Sequence, residues 1–398
     1  MSKSKESGKA GAGGHKIETR LAHLGGNPFD SHGFVNPPLY RGSTILYPSM
    51  EAFSAHSQEY TYGRRGTPTI RALENAVTEL EGGAHTVLTS SGLSACGISL
   101  LSVVSAGGHV LVTDAVYQPA RKICEGILKR LGVEITYFDP LIADGIAELI
   151  QDNTQLVYTE SPGSQTFEIQ DLPAIARAAR ARDVPVLADN TWATPIYCNP
   201  LALGADLVVN AGTKYFSGHS DANLGSITAT KALAKQLRQT HGDLGQCPGP
   251  EDTQLCLRGL RTISLRLERH WRSALEMADW LAGRPEVARV IHPAREDHPQ
   301  HDLWKRDFRG ASGLFSIILK DCSHKAVAAM LDGLTLFGMG ASWGGYESLV
   351  IPFDPTPYRT ATQWKGEGPA LRFHIGLENT EDLKADLDAG FKRLRAIG

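Results

Sequence analysis

The sequence predicts an α/β protein built on a mostly parallel β-sheet. Seven short runs rich in Val, Leu, Ile and Thr lie at 85–91, 109–114, 134–139, 155–160, 185–190, 206–210 and 225–230. Several of these runs are nearly continuously apolar, which is typical of strands buried on both faces of a parallel sheet. Stretches with helical spacing of apolar residues, such as 92–104 and 171–183, alternate with them.

The part of the chain after residue 256 has a different pattern. Residues 257–282 are predicted to form one long amphipathic helix, or a helix broken near its start. Further predicted strands (313–320, 348–353, 370–378) and helices (323–332, 381–395) follow. This mixture predicts a smaller α+β domain over 257–398.

Length and composition favour a soluble globular protein. The chain has 398 residues, enough for two or three domains, with 42% hydrophobic and 21% charged residues. The net charge of −3 gives no basic patch for nucleic acid, and no apolar run approaches the roughly 20 residues of a membrane span. Residues 1–15 are polar and Gly-rich and are expected to form a flexible tail. We expect a cytoplasmic protein with no nucleic-acid or membrane partner.

The cysteines do not indicate a metal site or a disulfide framework. The six cysteines are scattered, with no CxxC motif and no paired His spacing. Reduced, partly buried thiols are the simpler expectation, in agreement with a cytoplasmic location.

Polar and small residues follow the predicted strands, at the sheet edge where α/β proteins bind ligands. Lys214 follows the strand 206–210, and Asp189 ends another apolar run. Gly92 and Leu93 open a helix directly after a strand, where free N–H groups attract anions. Tyr117 follows a further strand and could stack on a planar ring. A lone lysine in such a loop is also compatible with a surface charge.

These four features together match the needs of pyridoxal 5′-phosphate. The lysine amine can form a Schiff base with its aldehyde, and a buried carboxylate can keep the pyridine nitrogen protonated. The helix start can hold the phosphate, and the tyrosine can cover the ring. Each feature alone is weak, so the hypothesis depends on their convergence at one sheet edge.

Several longer motifs resemble those of the Cys/Met-metabolism PLP-dependent enzymes of fold type I. They are YGRRGTPT (62–69), ESPGS (160–164), LADNTWATP (187–195) and NAGTKYFSGHSD (210–221). The resemblance runs from about residue 16 to the end of the chain. It implies a seven-stranded PLP-binding domain over 62–256, an α+β domain over 257–398, and an N-terminal segment, 16–61, that contacts a neighbouring subunit.

The resemblance also assigns roles to residues of the cofactor site. Lys214 would be the Schiff-base lysine and the catalytic base, and Asp189 the partner of the pyridine nitrogen. The remaining contacts would be Gly92, Leu93 and Thr213 on the phosphate, Tyr117 on the ring, and Tyr62 and Arg64 reaching the phosphate from a neighbouring subunit. Without the resemblance, the YGRRG segment is more typical of an ordinary surface turn.

Substrate contacts are implied near the C-terminus. Arg372 would bind the substrate α-carboxylate in a bidentate fork, and Ser342 and Trp343 would border the substrate. Alternatively, Arg372 pairs with Glu378 or Glu381 at the surface, and Trp343 is core packing.

The roles of two further residues, Ala211 and His219, remain open. Many family members carry a serine where this chain has Ala211, so one phosphate contact is expected to be missing. For His219, a structural hydrogen bond is favoured over catalysis.

The motifs WKRDF (304–308), SWGGYESL (342–349) and LRFHIGLE (371–378) are most similar to those of family members that act on L-cystathionine. The implied reaction is β-elimination to homocysteine, pyruvate and ammonia, in a homodimer or a tetramer built from dimers. The alternatives are γ-elimination, γ-replacement or broader cysteine-S-conjugate cleavage on the same scaffold, or a PLP-fold regulatory binding protein.

Overall fold

The computed structural model describes residues 14–366 and 368–397, so most of the predicted tail lies outside the described residues. The α-helices, in chain order, are α1 (Ile17–His23), α2 (Met50–Ala55), α3 (Pro68–Glu81), α4 (Gly92–Val103), α5 (Gln118–Ile123), α6 (Leu172–Arg180), α7 (Thr194–Tyr197), α8 (Ala234–Asp243), α9 (Pro250–Leu260), α10 (Ile263–Ala282), α11 (His301–Asp307), α12 (His324–Asp332) and α13 (Thr380–Ile397).

The central sheet confirms the predicted fold class. Its strands are β1 (His85–Thr89), β2 (His109–Thr113), β3 (Glu134–Phe138), β4 (Thr154–Glu160), β5 (Val186–Asp189), β6 (Leu207–Ala211) and β7 (Gly225–Ala229). They lie in the order β1-β7-β6-β5-β4-β2-β3. Strands β2 to β6 are parallel, and β7 is antiparallel to both of its neighbours. The carboxyl ends of β2, β4, β5 and β6 therefore meet at one edge of the sheet.

Local sequence explains why helices begin at this edge. Helix α4 follows β1 after a short turn, and the Ser91 side chain caps it by accepting a hydrogen bond from the Ser94 N–H at 3.1 Å. Helix α3 is capped in the same way by Thr67, with Pro68 in its first turn. Such caps fix the start of each helix and hence the direction of its free N–H groups.

A second, four-stranded antiparallel sheet forms the C-terminal part. Its strands are β8 (Val287–Ile291), β9 (Leu314–Leu319), β10 (Leu349–Phe353) and β11 (Ala370–His374), in the order β10-β11-β9-β8. One core contains side chains of this sheet and of α10, α12 and α13. Strand β8 was not predicted; it lies at the sheet edge, and two of its five side chains are exposed, which weakens its apolar pattern.

The long helix predicted over 257–282 is two helices in the structure. Helix α9 ends at Leu260 and α10 starts at Ile263, so the break near the start is present. The proposed domain boundary after residue 256 falls inside α9. No helix in the described ranges combines the length and apolar character that crossing a membrane requires.

Candidate active site

The strand ends of the central sheet and Arg372, in the middle of β11, enclose a cavity of about 420 Å³. Most of the predicted site residues line it, namely Gly92, Leu93, Tyr117, Asp189, Thr213, Lys214, Trp343 and Arg372. Ser342 joins the same site through a hydrogen bond to Lys214. The structure thus brings together residues that are up to 280 positions apart in sequence (92 to 372).

Lys214 is not a solvated surface charge. It follows β6 by three residues, and its Nζ donates a 2.7 Å hydrogen bond to Ser342 Oγ. The amine also lies 5.4 Å from the centre of the Trp343 ring. Burial, and secondarily the Arg372 guanidinium, lower the pKa of the Lys214 amine from 10.5 to about 8. The amine therefore has a substantial neutral, nucleophilic fraction near neutral pH.

Asp189, the last residue of β5, presents a carboxylate to the cavity. Its Oδ1 accepts hydrogen bonds from Thr191 N at 2.9 Å and Thr191 Oγ1 at 2.6 Å. In the described part of the chain, no Lys, Arg or His forms an ion pair with Asp189. Burial raises the pKa of the Asp189 carboxyl group. A buried carboxylate without a protein cation is costly, so this position suits a cationic group of a ligand, such as a protonated pyridine nitrogen.

The start of α4 approaches the end of β6 closely. A Cβ added to Gly92 would lie 2.5 Å from the Ala211 Cβ, so a larger residue at 92 would force the two elements apart. Leu93 and Thr213 line the cavity beside this contact. The first N–H groups of a helix have no intrahelical acceptor and favour anions. The position fits a phosphate group, although Ala211 provides no hydroxyl for it.

Arg372 is buried on β11 and is 8% exposed. Its Nη2 donates to the Ser342 carbonyl oxygen at 3.0 Å, and its Nε has no hydrogen-bond partner among the described residues. The alternative of a surface ion pair with Glu378 or Glu381 is wrong. Glu378 accepts hydrogen bonds from the Ser348 backbone and hydroxyl, and Glu381 pairs with Lys384.

Trp343 borders the cavity and also packs in the core. Its ring lies 5.6 Å from the ring of Tyr215, centre to centre, and it also contacts two hydrophobic clusters. The two interpretations of this residue are therefore compatible, because the same side chain packs against Tyr215 and lines the cavity.

Tyr117 lies at the mouth of the cavity and is 42% exposed. Burial, followed by the nearby Cys96 and Glu160, raises the pKa of its phenol. Its backbone N–H donates a 2.6 Å hydrogen bond to Glu160 Oε2. Glu160 also lines the cavity but was not predicted as a site residue. Its position at the end of a predicted strand, in the ESPGS motif, was the available indication.

Tyr62 and Arg64 do not reach this cavity within one chain. They line a separate pocket with Arg41 and Cys247. The Arg64 guanidinium donates to the Gly242 carbonyl oxygen at 3.3 Å and lies 5.5 Å from the Tyr62 ring centre. Within one chain, these two residues therefore make no contact with a phosphate held at the start of α4.

His219 also lies outside the lining of the cavity. Its Nδ1 is 2.7 Å from the Ser217 carbonyl oxygen, and its ring is 6.5 Å from that of Tyr346. These are structural contacts.

The fold and the site define a class of protein. An amine with a lowered pKa, a buried carboxylate without a protein cation, a free helix start and a buried guanidinium share one cavity at the carboxyl ends of a parallel sheet. This set fits pyridoxal phosphate together with the carboxylate of an amino acid. It indicates a PLP-dependent enzyme with the fold type I architecture.

The comparisons with known proteins identify the family. Residues 18–392 match the family model described as Cys/Met metabolism PLP-dependent enzyme, and the chain belongs to that family. Its cofactor is pyridoxal 5′-phosphate. The putative cystathionine β-lyase of Rhizobium johnstonii is 50% identical over 385 residues, covering 96% of this chain and 97% of that protein.

Two further relatives support the assignment. The cystathionine β-lyase MetC of Escherichia coli is 42% identical over 95% of this chain and 99% of its own length. The solved structure of cystathionine γ-synthase from Xanthomonas oryzae, in complex with aminoacrylate and cysteine, has a TM-score of 0.88. It is 32% identical and covers 97% of this chain and 100% of that chain.

Proposed function

We propose that this protein is a carbon–sulfur β-lyase that cleaves L-cystathionine to homocysteine, pyruvate and ammonia. The observation that carries the proposal is the meeting of Lys214, Asp189 and Arg372 in one cavity. Relatives that bear the name cystathionine β-lyase and match almost the whole chain support the choice of substrate. The product homocysteine would place the reaction in methionine biosynthesis.

Pyridoxal phosphate, when bound, supplies an electron sink that makes the Cα–H bond of the attached amino acid acidic. Asp189 would hold the protonated ring nitrogen. The start of α4, at Gly92 and Leu93, and Thr213 would hold the phosphate. Tyr117 would cover the ring at the mouth of the cavity.

Lys214 would move the proton from Cα. A general base works best when its pKa is near the working pH, and a pKa of about 8 meets this condition. Ser342 accepts the hydrogen bond of the amine and keeps it inside the cavity. Lys214 would thus combine a position in the cavity with a pKa close to the working pH.

Arg372 would bind the α-carboxylate of the substrate. Its guanidinium is buried, its Nε has no partner in the described ranges, and its Nη2 already donates one hydrogen bond to the Ser342 backbone. A two-point contact with a carboxylate fixes the orientation of Cα relative to Lys214. Ser342 and Trp343 would border the same substrate.

The departing sulfur needs a proton. Because burial raises the pKa of the Tyr117 phenol, this group is protonated at neutral pH and can donate. The Lys214 ammonium that forms on proton abstraction is the second candidate. The remaining three-carbon fragment is hydrolysed to pyruvate and ammonia.

Product identification tests the proposed function. Purified protein with added pyridoxal phosphate and L-cystathionine should form pyruvate and homocysteine. Formation of cysteine and 2-oxobutyrate would instead assign γ-elimination. Binding of the cofactor with no turnover of sulfur amino acids would favour a regulatory binding protein.

We further propose that the smallest active unit is a homodimer and that two dimers form a tetramer. We expect the protein in the cytoplasm. Large apolar side chains of the N-terminal segment are exposed, including Phe29 (85%), Leu46 (85%) and Met50 (85%). Such a surface suits burial against a second copy of the chain. Tyr62 and Arg64 lie in the pocket that borders the same segment.

Subunit mixing tests whether one site uses residues of two chains. Lys214→Ala and Arg64→Ala variants, each inactive or nearly so, should regain activity when they are unfolded together and reassembled. Random pairing gives about half hybrid dimers with one intact site each, hence roughly a quarter of the wild-type activity. No recovery, with dimers confirmed by light scattering, would contradict a shared site.

A further inference from the structure

Glu160 is a partly buried acid for which the proposed mechanism has no use. It ends β4, directly opposite Asp189 on β5 in the parallel register, and it lines the same cavity. Side chains opposite each other on neighbouring strands point to the same face of a sheet. The cavity therefore receives two carboxyl groups from adjacent strands.

The Glu160 side chain holds the backbone of Tyr117. Its Oε2 accepts the Tyr117 N–H at 2.6 Å, at the start of α5. The backbone of Glu160 is held in turn, because Gln170 Nε2 donates to its carbonyl oxygen at 2.7 Å. Tyr117 is 42% exposed, so packing alone does not fix its ring. The hydrogen bond from Glu160 fixes the backbone from which the ring projects.

The charges around Glu160 indicate which of the two acids is ionised. The titratable groups that face Glu160 are Asp189 and Cys96 and the phenols of Tyr117, Tyr158 and Tyr358. Within residues 14–366 and 368–397, none of the groups that face Glu160 is a cation. Thr191 donates two hydrogen bonds to Asp189, whereas Glu160 receives one. Two adjacent carboxylates that are partly shielded from solvent resist double ionisation, and hydrogen bonds favour the charge on Asp189. Burial, together with the Asp189 carboxylate, raises the pKa of Glu160 well above its usual range.

We propose that Glu160 is a positioning residue that holds the Tyr117 ring over the cavity through the Tyr117 backbone N–H, and that Asp189 alone carries negative charge at this edge. The inference deepens the proposed function and rests on it. A single charge matches the single positive charge of a protonated ring nitrogen, and the second carboxyl group acts only as a hydrogen-bonding support.

Two substitutions test the positioning role of Glu160 and the charge assignment separately. In Glu160→Gln, the amide oxygen can still accept the Tyr117 N–H, and the neutral side chain mimics a protonated acid. In Glu160→Ala, the acceptor is lost. Glu134→Gln, on the exposed start of β3, is the matched control. The first measurement is hydrogen–deuterium exchange of the Tyr117 amide in the cofactor-free protein. The second is the visible circular dichroism of the cofactor-loaded protein, recorded as a function of pH.

Glu160→Ala should speed exchange of the Tyr117 amide by roughly three- to tenfold, the effect of one lost hydrogen bond, and change the visible dichroism. Glu160→Gln should match the wild type in amide exchange and in dichroism. The midpoint of its pH-dependent dichroism should lie within roughly 0.3 pH unit of the wild-type midpoint. A midpoint shift of about one unit or more in Glu160→Gln would show that Glu160 is ionised and overturn the charge assignment. Unchanged exchange and dichroism in Glu160→Ala would overturn the positioning role.

If Glu160→Ala does not fold, Glu160→Asp replaces it, since the shorter side chain withdraws the carboxyl group from the Tyr117 N–H. Faster Tyr117 exchange in Glu160→Asp supports the proposal, and wild-type exchange overturns it. Failure of the proposed function is seen separately, as absence of pyruvate from L-cystathionine with the wild-type protein. The exchange result does not depend on that reaction.

Discussion

The pKa of Lys214 gives a direct quantitative prediction. An ordinary lysine with a pKa of 10.5 is neutral in about one molecule in 3,000 at pH 7, whereas a pKa of about 8 gives about one in ten. The neutral fraction is thus roughly 300-fold larger. Since the unfolded chain binds this proton more tightly, the ammonium form destabilises the folded apoprotein below pH 8. That destabilisation is relieved as the pH rises toward 10.5.

The perturbation is Arg372→Met, which removes the one cation that contributes to the lowered pKa. In the cofactor-free wild type, brief acetylation between pH 6 and 10, quantified by mass spectrometry, should show a midpoint at about 8 for Lys214. Exposed Lys231 in the same sample serves as the internal reference for reagent reactivity. In Arg372→Met the midpoint should rise but stay below 10.5, because burial is the larger cause.

Two results would contradict a buried Lys214 amine that is repelled by Arg372. A wild-type midpoint near 10.5 would mean that the Lys214 amine is solvated, contrary to its contacts with Ser342 and Trp343. A midpoint that falls in Arg372→Met would mean that the two cations do not repel each other in the cavity.

Three further predictions follow from the contacts of single residues. Lys214→Ala should lose the visible absorption band of the bound cofactor and several orders of magnitude in turnover; a near-normal rate of pyruvate formation would contradict the mechanism. Arg372→Lys should reduce kcat/KM for L-cystathionine at least about tenfold, because an ammonium cannot make the two-point contact; steady-state kinetics check this. Asp386→Ala should lower the unfolding free energy by about 2 kcal/mol or more, because the Asp386 carboxylate accepts hydrogen bonds from Thr335 N and Oγ1. Thermal melts measure this change, and Asp382→Ala, at an exposed position, is the control.

Strands of the central sheet were predictable because burial on both faces leaves a strong local pattern. The run 206–210 is apolar except at its ends, and it forms β6 almost as predicted. Strand β8, by contrast, lies at an edge of the second sheet with exposed side chains in its middle, so its pattern is weak. Edge strands gain stability from pairing with a distant segment, which a local window of sequence does not contain.

The same difference separates the two acids of the site. Asp189 was predicted because a carboxylate at the end of an apolar run needs a partner. Glu160 ends a similar run, but its role depends on two distant partners, the Tyr117 backbone and the neighbouring Asp189. Only strand order brings these groups together.

Neighbours along the chain set the alternation of strands and helices, the helix starts and the residue types available for chemistry, so these features could be read from the sequence. The tertiary structure decided which of them meet. It placed Arg372 in the cavity instead of at the surface, set the partly buried Lys214 amine beside Ser342 and Trp343, and left Tyr62 and Arg64 outside the cavity of their own chain. The physical reason is that burial and charge proximity, which set pKa values and binding, depend on distances between segments that are far apart in the sequence.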